Sequence, residues 1–520
     1  MNFTAWLLFF LFVQLVHFAC TWKLYIAAGR KAWEAAIPVY NAIVLMKIIH
    51  RPMWWTILLF LPIINLIMFP VIWVETLRSF GKTTYKDTFL GILTLGLYIG
   101  YVNYTQDVTH RKERSLKPKS KSGEWVSSIL FAVVAASIIH TYFIQPFTIP
   151  TSSLEKTLLV GDYLFVSKLH YGPRAPMTTL SLPMVHDTVP GLNTKSYINK
   201  PQLPYIRIPG FQKIKRNDIV VFNWPVDTLV DINNPAKGHR IKPIDKKSNY
   251  VKRTVAIPGD SLEIVDKQVY INGEVIDLPC RAKLQYSYLI TSTKPLNLNY
   301  IAERYDVTDI FPVTREYTTF QAFMTDDALE RIKNHPDVDK VIPITNEKGK
   351  ADSSMFPQDS RYPWNVDNFG PIYIPKKGVT VSITPESIPF YKRIIEVYEG
   401  REMGINNKIS VLDDEVLLNN QPITEYTFLQ DYYWMMGDNR HNSQDARNWG
   451  YVPFNHVVGK PVMVFMSMNN RVQGIGNKIR WNRLFTTVHG QGEPVSYLYY
   501  VIAGIVILIV VGEVRKRKKK

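Results

Sequence analysis

The sequence has few of the features that mark disulfide-rich, metal-dependent or nucleotide-binding proteins. Only two cysteines, Cys20 and Cys280, occur in 520 residues, which excludes a disulfide scaffold. No Cys/His pattern with zinc spacing, no phosphate-binding glycine loop and no Gly-x-Ser-x-Gly element is present. We therefore expect neither a metal nor a cofactor. The hydrophobic content of 46% also excludes a mainly disordered chain.

Acidic residues are scarce as well. The 61 Lys and Arg against 44 Asp and Glu leave a net charge of +17, which is typical of binding to nucleic acid or to a membrane surface. The segments 23–51, 107–122 and 515–520 carry +4, +4 and +6 of this charge, and each lies beside an apolar stretch. This is the positive-inside pattern of membrane proteins. We predict contact with membrane lipids and no nucleic-acid partner.

Five apolar stretches are candidate membrane segments: 5–22, 55–75, 88–104, 125–144 and 496–512. A helix needs about 20 apolar residues to cross a bilayer core, so the first, second and fourth are long enough and the other two are marginal. A cleaved signal peptide at 5–22 is not favoured, because no Lys or Arg precedes the stretch.

A membrane topology follows from these stretches. Starting from an outside N-terminus, three crossings place 23–51 and 107–122 inside, although they also place Arg78, Lys82 and Lys86 outside. A partial or re-entrant segment near 36–50 is the alternative for this region. The stretch 125–144 then leaves the cytoplasm, and 496–512 returns the basic tail to it.

The large exterior part, 145–495, shows little helical periodicity. Runs such as Asp218–Phe222 and Gln268–Ile271 predict β-strands, and Thr325–Asn334 predicts one helix with acidic residues in its first turn. The segments beginning at Val265 and Leu412 resemble each other, and each places Asn-Gly or Asn-Asn after a strand, a type I′ hairpin signal. Both a duplication and two unrelated hairpins fit this likeness. We predict a mostly β domain with a β-rich insert.

The predicted boundaries divide the chain into six parts. They are a multi-span region with a basic cytoplasmic loop (1–124), a transmembrane helix (125–146), the first part of a catalytic β core (147–279), an inserted subdomain (280–405), the second part of the core (406–495), and a C-terminal helix with a basic tail (496–520).

Four short segments carry the side chains that are informative about chemistry. Taken singly they have ordinary explanations, because Ser/Thr clusters usually cap helices or form turns and a strand-edge Lys is usually solvated. The segments are Pro150-Thr-Ser-Ser-Leu-Glu-Lys-Thr-Leu158, Asn217-Asp-Ile-Val-Val-Phe222, Lys252-Arg253 with Pro258-Gly-Asp260, and Gly437-Asp-Asn-Arg-His-Asn-Ser-Gln-Asp-Ala-Arg447.

Together and in this order, the segments resemble the boxes of bacterial type I signal peptidases, the membrane-anchored Ser–Lys serine proteases. Those boxes read Pro-Ser-x-Ser-Met-x-Pro-Thr-Leu, Gly-Asp-Ile-Val-Val-Phe, Lys-Arg-x-x-x-x-Pro-Gly-Asp and Gly-Asp-Asn-Arg-Asp-Asn-Ser-x-Asp-Ser-Arg. This chain departs from them at Thr151, Leu154, Lys156, Asn217, His441 and Ala446. The resemblance implies a signal-peptidase-like β fold anchored in the bacterial inner membrane, with the catalytic domain on its outer face.

The resemblance also implies roles for individual residues. Ser153 is expected to be the nucleophile and Lys252 its general base, with Ser443 orienting the amine and with the Thr151 hydroxyl and the Ser153 backbone N–H meeting the oxyanion. Asp438, Arg440, Asp445, Arg447 and Arg253 are expected to support the site structurally. Phe147, Ile149, Pro150 and Val251 are expected to line shallow substrate pockets, and the substrates are precursors that carry signal peptides.

The expected chemistry makes a physical demand on Lys252. A hydroxyl needs an adjacent base to attack at neutral pH, and a solvated Lys, with a pKa near 10.4, is protonated there. Burial must therefore lower the lysine pKa. Two rival interpretations are a self-cleaving Ser–Lys repressor-type protease, whose DNA-binding module this chain lacks, and a membrane-anchored β-rich binding protein with an inactive dyad.

Overall fold

The structure, a computed structural model, describes residues 3–117, 120–192, 194–232, 234–469, 472 and 474–517. Lys119 and Lys518–Lys520, which were counted in the basic segments, lie outside these residues. The chain forms two compact units. Unit 1 comprises Met1–Phe143 and Arg174–Arg207, and unit 2 comprises Ile144–Pro173 and Ile208–Lys520.

Unit 1 is helical, with a core built from the helices Phe3–Ala27 (α1), Tyr40–Ile48 (α2), Ile64–Ser79 (α4) and Leu97–Thr105 (α6). The two longest helices of this unit are α1 and Lys121–Ile138 (α7), and α7 continues through a π-helical turn to Phe143. The helices are Phe3–Ala27 (α1), Tyr40–Ile48 (α2), Trp55–Leu58 (α3), Ile64–Ser79 (α4), Tyr85–Leu93 (α5), Leu97–Thr105 (α6) and Lys121–Ile138 (α7).

Three helices among the described residues are long and apolar enough to cross a membrane: Phe3–Ala27, Lys121–Phe143 and Leu498–Arg517. The prediction that 55–75 is one spanning helix is wrong, since this stretch breaks between α3 and α4, where Pro62 precedes Ile63 at φ +71°. Proline restricts the residue before it and cannot donate to the preceding turn. The stretch 88–104 breaks at Gly96, which has φ +87°.

Three arginines of unit 1 meet at one buried carboxylate, that of Glu75 in α4. Arg51 and Arg114 approach Glu75 Oε2 at 2.9 and 2.6 Å, and Arg78 approaches Oε1 at 3.6 Å. These arginines come from the loop before α3, the end of α4 and the basic segment before α7. Arg51, Arg78 and Arg114 therefore lie on one side of unit 1, whereas three full crossings would have separated Arg78 from the other two.

The excursion Arg174–Arg207 belongs to unit 1, although the sequence suggested a continuous catalytic core over 147–279. It is a β-ribbon held by isolated antiparallel bridges between Arg174 and Arg207, Thr178 and Gln202, and Ser181 and Tyr197. The indole N–H of Trp6, in the first turns of α1, donates to the backbone oxygen of Gln202 at 2.8 Å.

Unit 2 is mostly β, as predicted. Its strands are Ile144–Thr148 (β1), Asp162–Ser167 (β2), Ile219–Asn223 (β3), Asn249–Ala256 (β4), Ser261–Val265 (β5), Gln268–Ile271 (β6), Glu274–Val275 (β7), Tyr286–Ser292 (β8), Asp309–Pro312 (β9), Thr319–Met324 (β10), Val338–Pro343 (β11), Phe369–Tyr373 (β12), Thr380–Ser382 (β13), Ile409–Leu412 (β14), Glu415–Leu418 (β15), Gln421–Pro422 (β16), Glu425–Thr427 (β17), Tyr432–Met436 (β18), Val452–Pro453 (β19), Val457–Ser467 (β20) and Thr486–Thr487 (β21).

The helices of unit 2 are few and, apart from the last, short. They are Leu298–Arg304 (α8), Asp326–Lys333 (α9), Ile388–Arg393 (α10), Ala446–Trp449 (α11), Ile475–Lys478 (α12) and Leu498–Arg517 (α13). The prediction of a helix over Thr325–Asn334 is confirmed by α9, whose N-cap Thr325 accepts from the backbone N–H of Ala328.

The main sheet has the strand order β1-β2-β20-β3-β4-β18-β19, with β21 beside β20. β1 lies at one edge of this path, and β4 lies inside it between β3 and β18. Val220 of β3 is opposite Lys252 of β4, and Met436 at the end of β18 is opposite Arg253. The sheet thus brings the second and third sequence segments together on the adjacent strands β3 and β4, and the fourth segment follows β18 on the other side of β4.

The two similar segments form the same local structure, a three-stranded meander. β5, β6 and β7 are joined at Asp266-Lys267 and Asn272-Gly273, and β14, β15 and β16 at Asp413-Asp414 and Asn419-Asn420. All eight turn residues have positive φ, as type I′ turns require, so the predicted hairpins are confirmed.

The predicted insert, 280–405, contains two different parts. Residues 286–343 form a separate four-stranded sheet, in the order β11-β8-β10-β9, whose own core includes α8 and α9. Residues from Met355 to Tyr398 instead share a core with β5, β6 and β18. Only the first part of the insert is therefore a sheet with a core of its own.

Candidate active site

Lys252 is a buried amine near the middle of the main sheet. The residue is 2% exposed, and its Nζ donates to Ser443 Oγ at 3.1 Å. The pKa of Lys252 is lowered from 10.5 to about 8, mainly by burial; Asp445 and Asp438 oppose this change, and Arg447 adds to it. An amine with this pKa is partly neutral in weakly alkaline solution, as a general base must be.

Two buried ion pairs flank Lys252. Arg253 holds Asp438 with bonds of 2.7 Å to Oδ1 and 2.6 Å to Oδ2. Arg447 holds Asp445 with bonds of 2.9 Å to Oδ1 and 2.8 Å to Oδ2. Both carboxyl groups have a pKa below the ordinary value, because the arginine charges and hydrogen bonds outweigh the effect of burial. The sequence predicted these residues as structural support.

Arg440 is arranged differently from the other charged residues of the loop. It is 2% exposed, yet its guanidinium forms no ion pair with any described residue and contacts Met436 Sδ at 3.8 Å. Its backbone N–H donates to Gln285 O at 2.9 Å. Burial lowers the pKa of Arg440 below its ordinary value. Support of the loop through an ion pair therefore fits Asp438, Asp445 and Arg447, but not Arg440.

Ser153 lies in a 3₁₀ turn, Ser152–Leu154, that follows β1 and the exposed residues Pro150 and Thr151. Its backbone oxygen accepts from Asn439 N at 3.1 Å, and Ser152 O accepts from Asn439 Nδ2 at 3.2 Å. The turn that carries Ser153 is thus bonded directly to the loop 437–447. Among the described residues, no hydrogen bond joins Ser153 Oγ to Lys252 Nζ.

Gly437 lies in close contact with both Ser443 and the turn that carries Ser153. A Cβ atom at this position would collide with Ser443 Oγ and with the backbone oxygen of Ser153. The Gly437 backbone N–H donates to Asp445 Oδ2 at 3.0 Å. A side chain at 437 would push apart the residues that hold Lys252 and the turn that carries Ser153.

The departures from the family boxes have structural explanations. Lys156 has φ +70°, which proline cannot adopt, and its Nζ pairs with Asp306 at 2.7 Å. Asn217, where the family has glycine, has φ +69°, a conformation that asparagine tolerates. Leu154 is buried in an apolar cluster, and the Thr151 side chain makes no cap hydrogen bond.

The expected pocket residues lie in one place. Ile149 is buried in a cluster against which Phe147 and Val251 pack, while Pro150 is exposed beside it. Phe147 belongs to the edge strand β1, and Val251 precedes Lys252 on β4. The structure therefore places apolar surface beside the Ser153 turn and the lysine strand.

Several contacts of the site could not be read from the sequence. Three of the residues involved lie inside the recognised boxes, which marked them as part of the site but did not show their partners: Asn439, Asn442 and Thr157. Thr157 Oγ1 donates to Asp438 Oδ2 at 2.6 Å. Asp309 and Asp367 lie in the insert, far from any box, and no local pattern pointed to them. Asp309 Oδ2 accepts from Asn442 Nδ2 at 2.9 Å.

No group of three or more His, Cys, Asp or Glu side chains is placed to hold a metal ion in the part of the chain that the structure describes. The chemistry that the site can supply comes from a hydroxyl turn, a buried amine and a fixed set of hydrogen-bond donors.

Comparison with known proteins agrees with the resemblance to signal peptidases that the four boxes indicate. The profile of the family "Signal peptidase, peptidase S26" matches residues 122–327 and 418–466, and a family of unknown function matches residues 33–113. The chain is 24% identical over 379 residues to signal peptidase I of Buchnera aphidicola subsp. Acyrthosiphon pisum, covering 72% of this chain and 85% of the relative.

Two further relatives extend over similar lengths. Signal peptidase I of Haemophilus influenzae is 21% identical over 395 residues, which is 73% of this chain and 80% of the relative. Signal peptidase I of Helicobacter pylori strain 26695 is 22% identical over 378 residues, which is 70% of this chain and 91% of the relative. These matches define a peptidase, and three helices among the described residues are long and apolar enough to cross a membrane. The chain belongs to the signal peptidase family, peptidase S26.

Proposed function

We propose that this protein cleaves N-terminal signal peptides from exported precursor proteins, with Ser153 as the nucleophile and Lys252 as the general base. The observation that carries the proposal is the state of Lys252. Its amine is buried, bonded to Ser443 at 3.1 Å, and has a pKa of about 8. A lysine with a purely structural role at a strand edge would be solvated and charged.

The first chemical step is proton transfer. The neutral Lys252 amine takes the Ser153 hydroxyl proton while the serine oxygen attacks the scissile carbonyl carbon. The hydrogen bond to Ser443 holds the amine in place, and the approach of substrate brings the hydroxyl within reach of Nζ, as catalytic hydrogen bonds commonly tighten in the substrate complex. The lysine then gives the proton to the departing amine, and water hydrolyses the resulting ester.

The oxyanion is stabilised by donors that are fixed before the reaction begins. The backbone N–H of Ser153 is one of them, held by the 3₁₀ turn that Asn439 fastens. The Thr151 hydroxyl is the second, and the lack of a cap hydrogen bond leaves it available to donate.

Substrate selection rests on the apolar surface formed by Phe147, Ile149, Pro150 and Val251. Signal peptides carry small residues one and three positions before the cleavage site, which suits shallow apolar pockets. β1 lies at the edge of the main sheet, so an extended substrate segment can be added alongside it by backbone hydrogen bonds.

The arrangement in the membrane follows from charge. We place the segments 23–51 and 107–122 and the tail 515–520 in the cytoplasm, and the catalytic domain on the outer face of the bacterial inner membrane. α1, α7 and α13 are then the three crossings, and α2–α6 enter the membrane without crossing it. The meeting of Arg51, Arg78 and Arg114 at Glu75 supports this arrangement.

The competing function is a membrane-anchored β-rich binding protein with an inactive dyad. A binding protein would gain nothing from a buried lysine with a lowered pKa, because an uncompensated buried amine destabilises the fold. The state of Lys252 therefore favours the peptidase.

The decisive experiment is cleavage of a secreted precursor by purified wild-type protein, Ser153→Ala and Lys252→Ala in detergent or lipid. Both variants should be folded and inactive. Ser152→Ala is the matched control, since the neighbouring hydroxyl has no assigned chemical step and accepts a long hydrogen bond, 3.3 Å from Asn442 Nδ2, so this variant should retain most of the activity. Normal cleavage by either Ser153→Ala or Lys252→Ala would disprove the dyad.

A further inference from the structure

We propose that the insert is a positioning element for the catalytic loop 437–447, acting through two of its aspartates, Asp367 and Asp309. This inference rests on the proposed function, because it concerns the same dyad. No box contains either aspartate, yet both are bonded to side chains of the box that carries Ser443.

The backbone of the insert runs beside the loop. Gln285, which precedes β8, forms a parallel bridge with Asn439. Gln285 N donates to Asp438 O at 2.9 Å, and Arg440 N donates to Gln285 O at 2.9 Å. The residue immediately before the sheet β11-β8-β10-β9 is thus bonded to the backbone of the loop and sets the position of Asp438, Asn439 and Arg440.

His441 carries the second connection. The backbone N–H of Ser287 donates to His441 Nδ1 at 3.1 Å, so Nε2 carries the ring proton and donates to Asp367 Oδ1 at 2.6 Å. The two side chains are 6% and 2% exposed. Asp367 is itself fixed, because its Oδ2 accepts from Asn346 N at 2.8 Å and from Asn346 Nδ2 at 3.1 Å.

His441 stands where the family box has aspartate, and its partner in this chain is an aspartate of the insert. A charge-assisted hydrogen bond between buried groups is among the stronger polar contacts, and it fixes direction as well as distance. His441 lies two residues before Ser443, which receives the hydrogen bond of Lys252. The bond to Asp367 therefore orients the segment from which the lysine is held.

Asp309 acts on the nucleophile side of the loop. Its Oδ2 accepts from Asn442 Nδ2 at 2.9 Å and from Asn439 Nδ2 at 3.3 Å. The same two amide groups donate to Ser152 Oγ and Ser152 O at 3.3 and 3.2 Å. Asp309 thus directs the two asparagines that fasten the turn carrying Ser153.

The insert also holds that turn directly. Asp306 pairs with Lys156 at 2.7 Å, and Thr308 Oγ1 donates to Glu155 Oε1 at 3.0 Å. Both catalytic segments therefore contact the insert within a few residues of the nucleophile and of the lysine-holding serine. An insert that only filled space beside the core would not need bonds to both.

The test compares two substitutions of His441 that separate its nitrogens. His441→Gln places a donor near the position of Nε2 and keeps the bond to Asp367, whereas His441→Asn reaches only the position of Nδ1 and loses it. We expect kcat/KM on a precursor to stay within about threefold of wild type for His441→Gln and to fall about tenfold or more for His441→Asn, mainly in kcat.

The pH profile distinguishes positioning from a loss of folded protein. If the loop loosens, water reaches Lys252 and the pKa of its amine moves back towards 10.5. The apparent pKa of the acid limb in the kcat/KM profile should therefore rise by about one unit in His441→Asn. The groups that face Lys252 are Ser443, Asp438, Asp445, Arg447 and the Tyr250 ring, and all are unchanged in the variant. A smaller folded fraction would lower the rate without moving the limb.

Asp367→Ala is the second single variant of a double-mutant cycle with His441→Asn. It should reproduce the effect of His441→Asn, and the double variant should be no more than about twofold worse than either single change, because both remove the same bond. Asp359→Asn is the control, since it breaks an exposed pair with Arg361 in the same insert and should leave the rate unchanged. If Asp367→Ala fails to fold, the comparison of His441→Asn with His441→Gln decides.

Equal activity of His441→Asn and His441→Gln, with an unshifted acid limb in both, would overturn the positioning role. Ser153→Ala is measured in parallel. Its inactivity beside unaffected His441 and Asp367 variants would reject this inference alone, and its full activity would reject the dyad itself.

Discussion

At the scale of single residues, the neighbours of Lys252 explain its pKa. Two carboxylates lie close to the amine, and on their own they would stabilise an ammonium ion. Each is already held by a bidentate arginine, Asp438 by Arg253 and Asp445 by Arg447. The charges of the acids are balanced before the lysine is counted, so burial dominates. Each aspartate is thus neutralised by its own arginine, and the pKa of Lys252 can remain low enough for the proposed role as a base.

This arrangement predicts the pH dependence of the enzyme. In the proposed mechanism Lys252 acts as a base only when neutral, so kcat/KM should rise with pH to a plateau with an apparent pKa of about 8. The measurement is a pH profile under conditions where [S] is far below KM. A profile without an acid limb between pH 7 and pH 9 would contradict the role of Lys252.

The same lysine affects stability. Its folded pKa lies below its unfolded value, so the unfolded chain binds more protons between pH 8 and pH 10.5 and stability rises with pH across this window. Below pH 8 the folded state must bury a charged amine. Lys252→Met should therefore melt at a higher temperature than wild type at pH 7, and the difference should vanish near pH 10.5.

Thr151 is the residue on which the oxyanion proposal can be tested. Thr151→Val keeps the shape and the stiffness at χ1 but removes the hydroxyl, and kcat should fall by roughly 10²–10³-fold. Thr151→Ser keeps the donor and should be nearly silent. If Thr151→Val is as fast as wild type, the backbone N–H of Ser153 acts without it.

At the scale of elements, the turn after Ser153 has a backbone conformation that fits this chain and not the family consensus. Lys156, at φ +70°, stands where the consensus has proline. Its charge pairs with Asp306 of the insert, so backbone and side chain together direct the turn towards the insert.

A pair of variants separates these two effects. Lys156→Pro should destabilise the protein by at least about 1 kcal/mol, because proline fixes φ near −65° and the turn must be rebuilt. Lys156→Gly adopts the same φ freely and loses only a partly exposed ion pair, so its free energy of unfolding should change little. The check is thermal or denaturant unfolding of both variants, and equal stabilities would contradict the conformational explanation.

At the scale of the whole molecule, the number of membrane crossings decides on which side each basic segment lies. Hydropathy suggested three crossings before residue 107, and the structure has one helix of spanning length there, α1. With α1, α7 and α13 as the crossings, the positive-inside rule holds for all of the basic segments, including Arg78, Lys82 and Lys86.

Cysteine labelling from outside the cell tests this topology. Lys86→Cys and Lys112→Cys, each in a Cys280→Ser background, should both be protected from an impermeant maleimide, since the proposed topology places both on the cytoplasmic side. Wild-type Cys280 is exposed and should react, which gives a control on the outer side. Labelling of Lys86→Cys together with protection of Lys112→Cys would favour crossings by 55–75 and 88–104.

Much of the fold could be predicted from short-range patterns. The strands around Val220 and Lys252, the helix after Thr325 and the type I′ turns at Asn272 and Asn419 follow from side-chain alternation, capping and turn residues, which act over a few positions. The order of the four boxes likewise identified the family, because a box preserves the residues that touch the chemistry.

The features that the sequence did not show were missed for two reasons, one local and one long-range. Hydropathy counts apolar side chains but not the path of the backbone, so 55–75 resembled a span although Pro62 interrupts it. The join between the insert and the active site is also long-range: Asp367 lies 74 residues from His441, and Gln285 lies 154 from Asn439. Whether such groups meet depends on how the sheets pack, because a hydrogen bond forms only when folding brings donor and acceptor within about 3 Å.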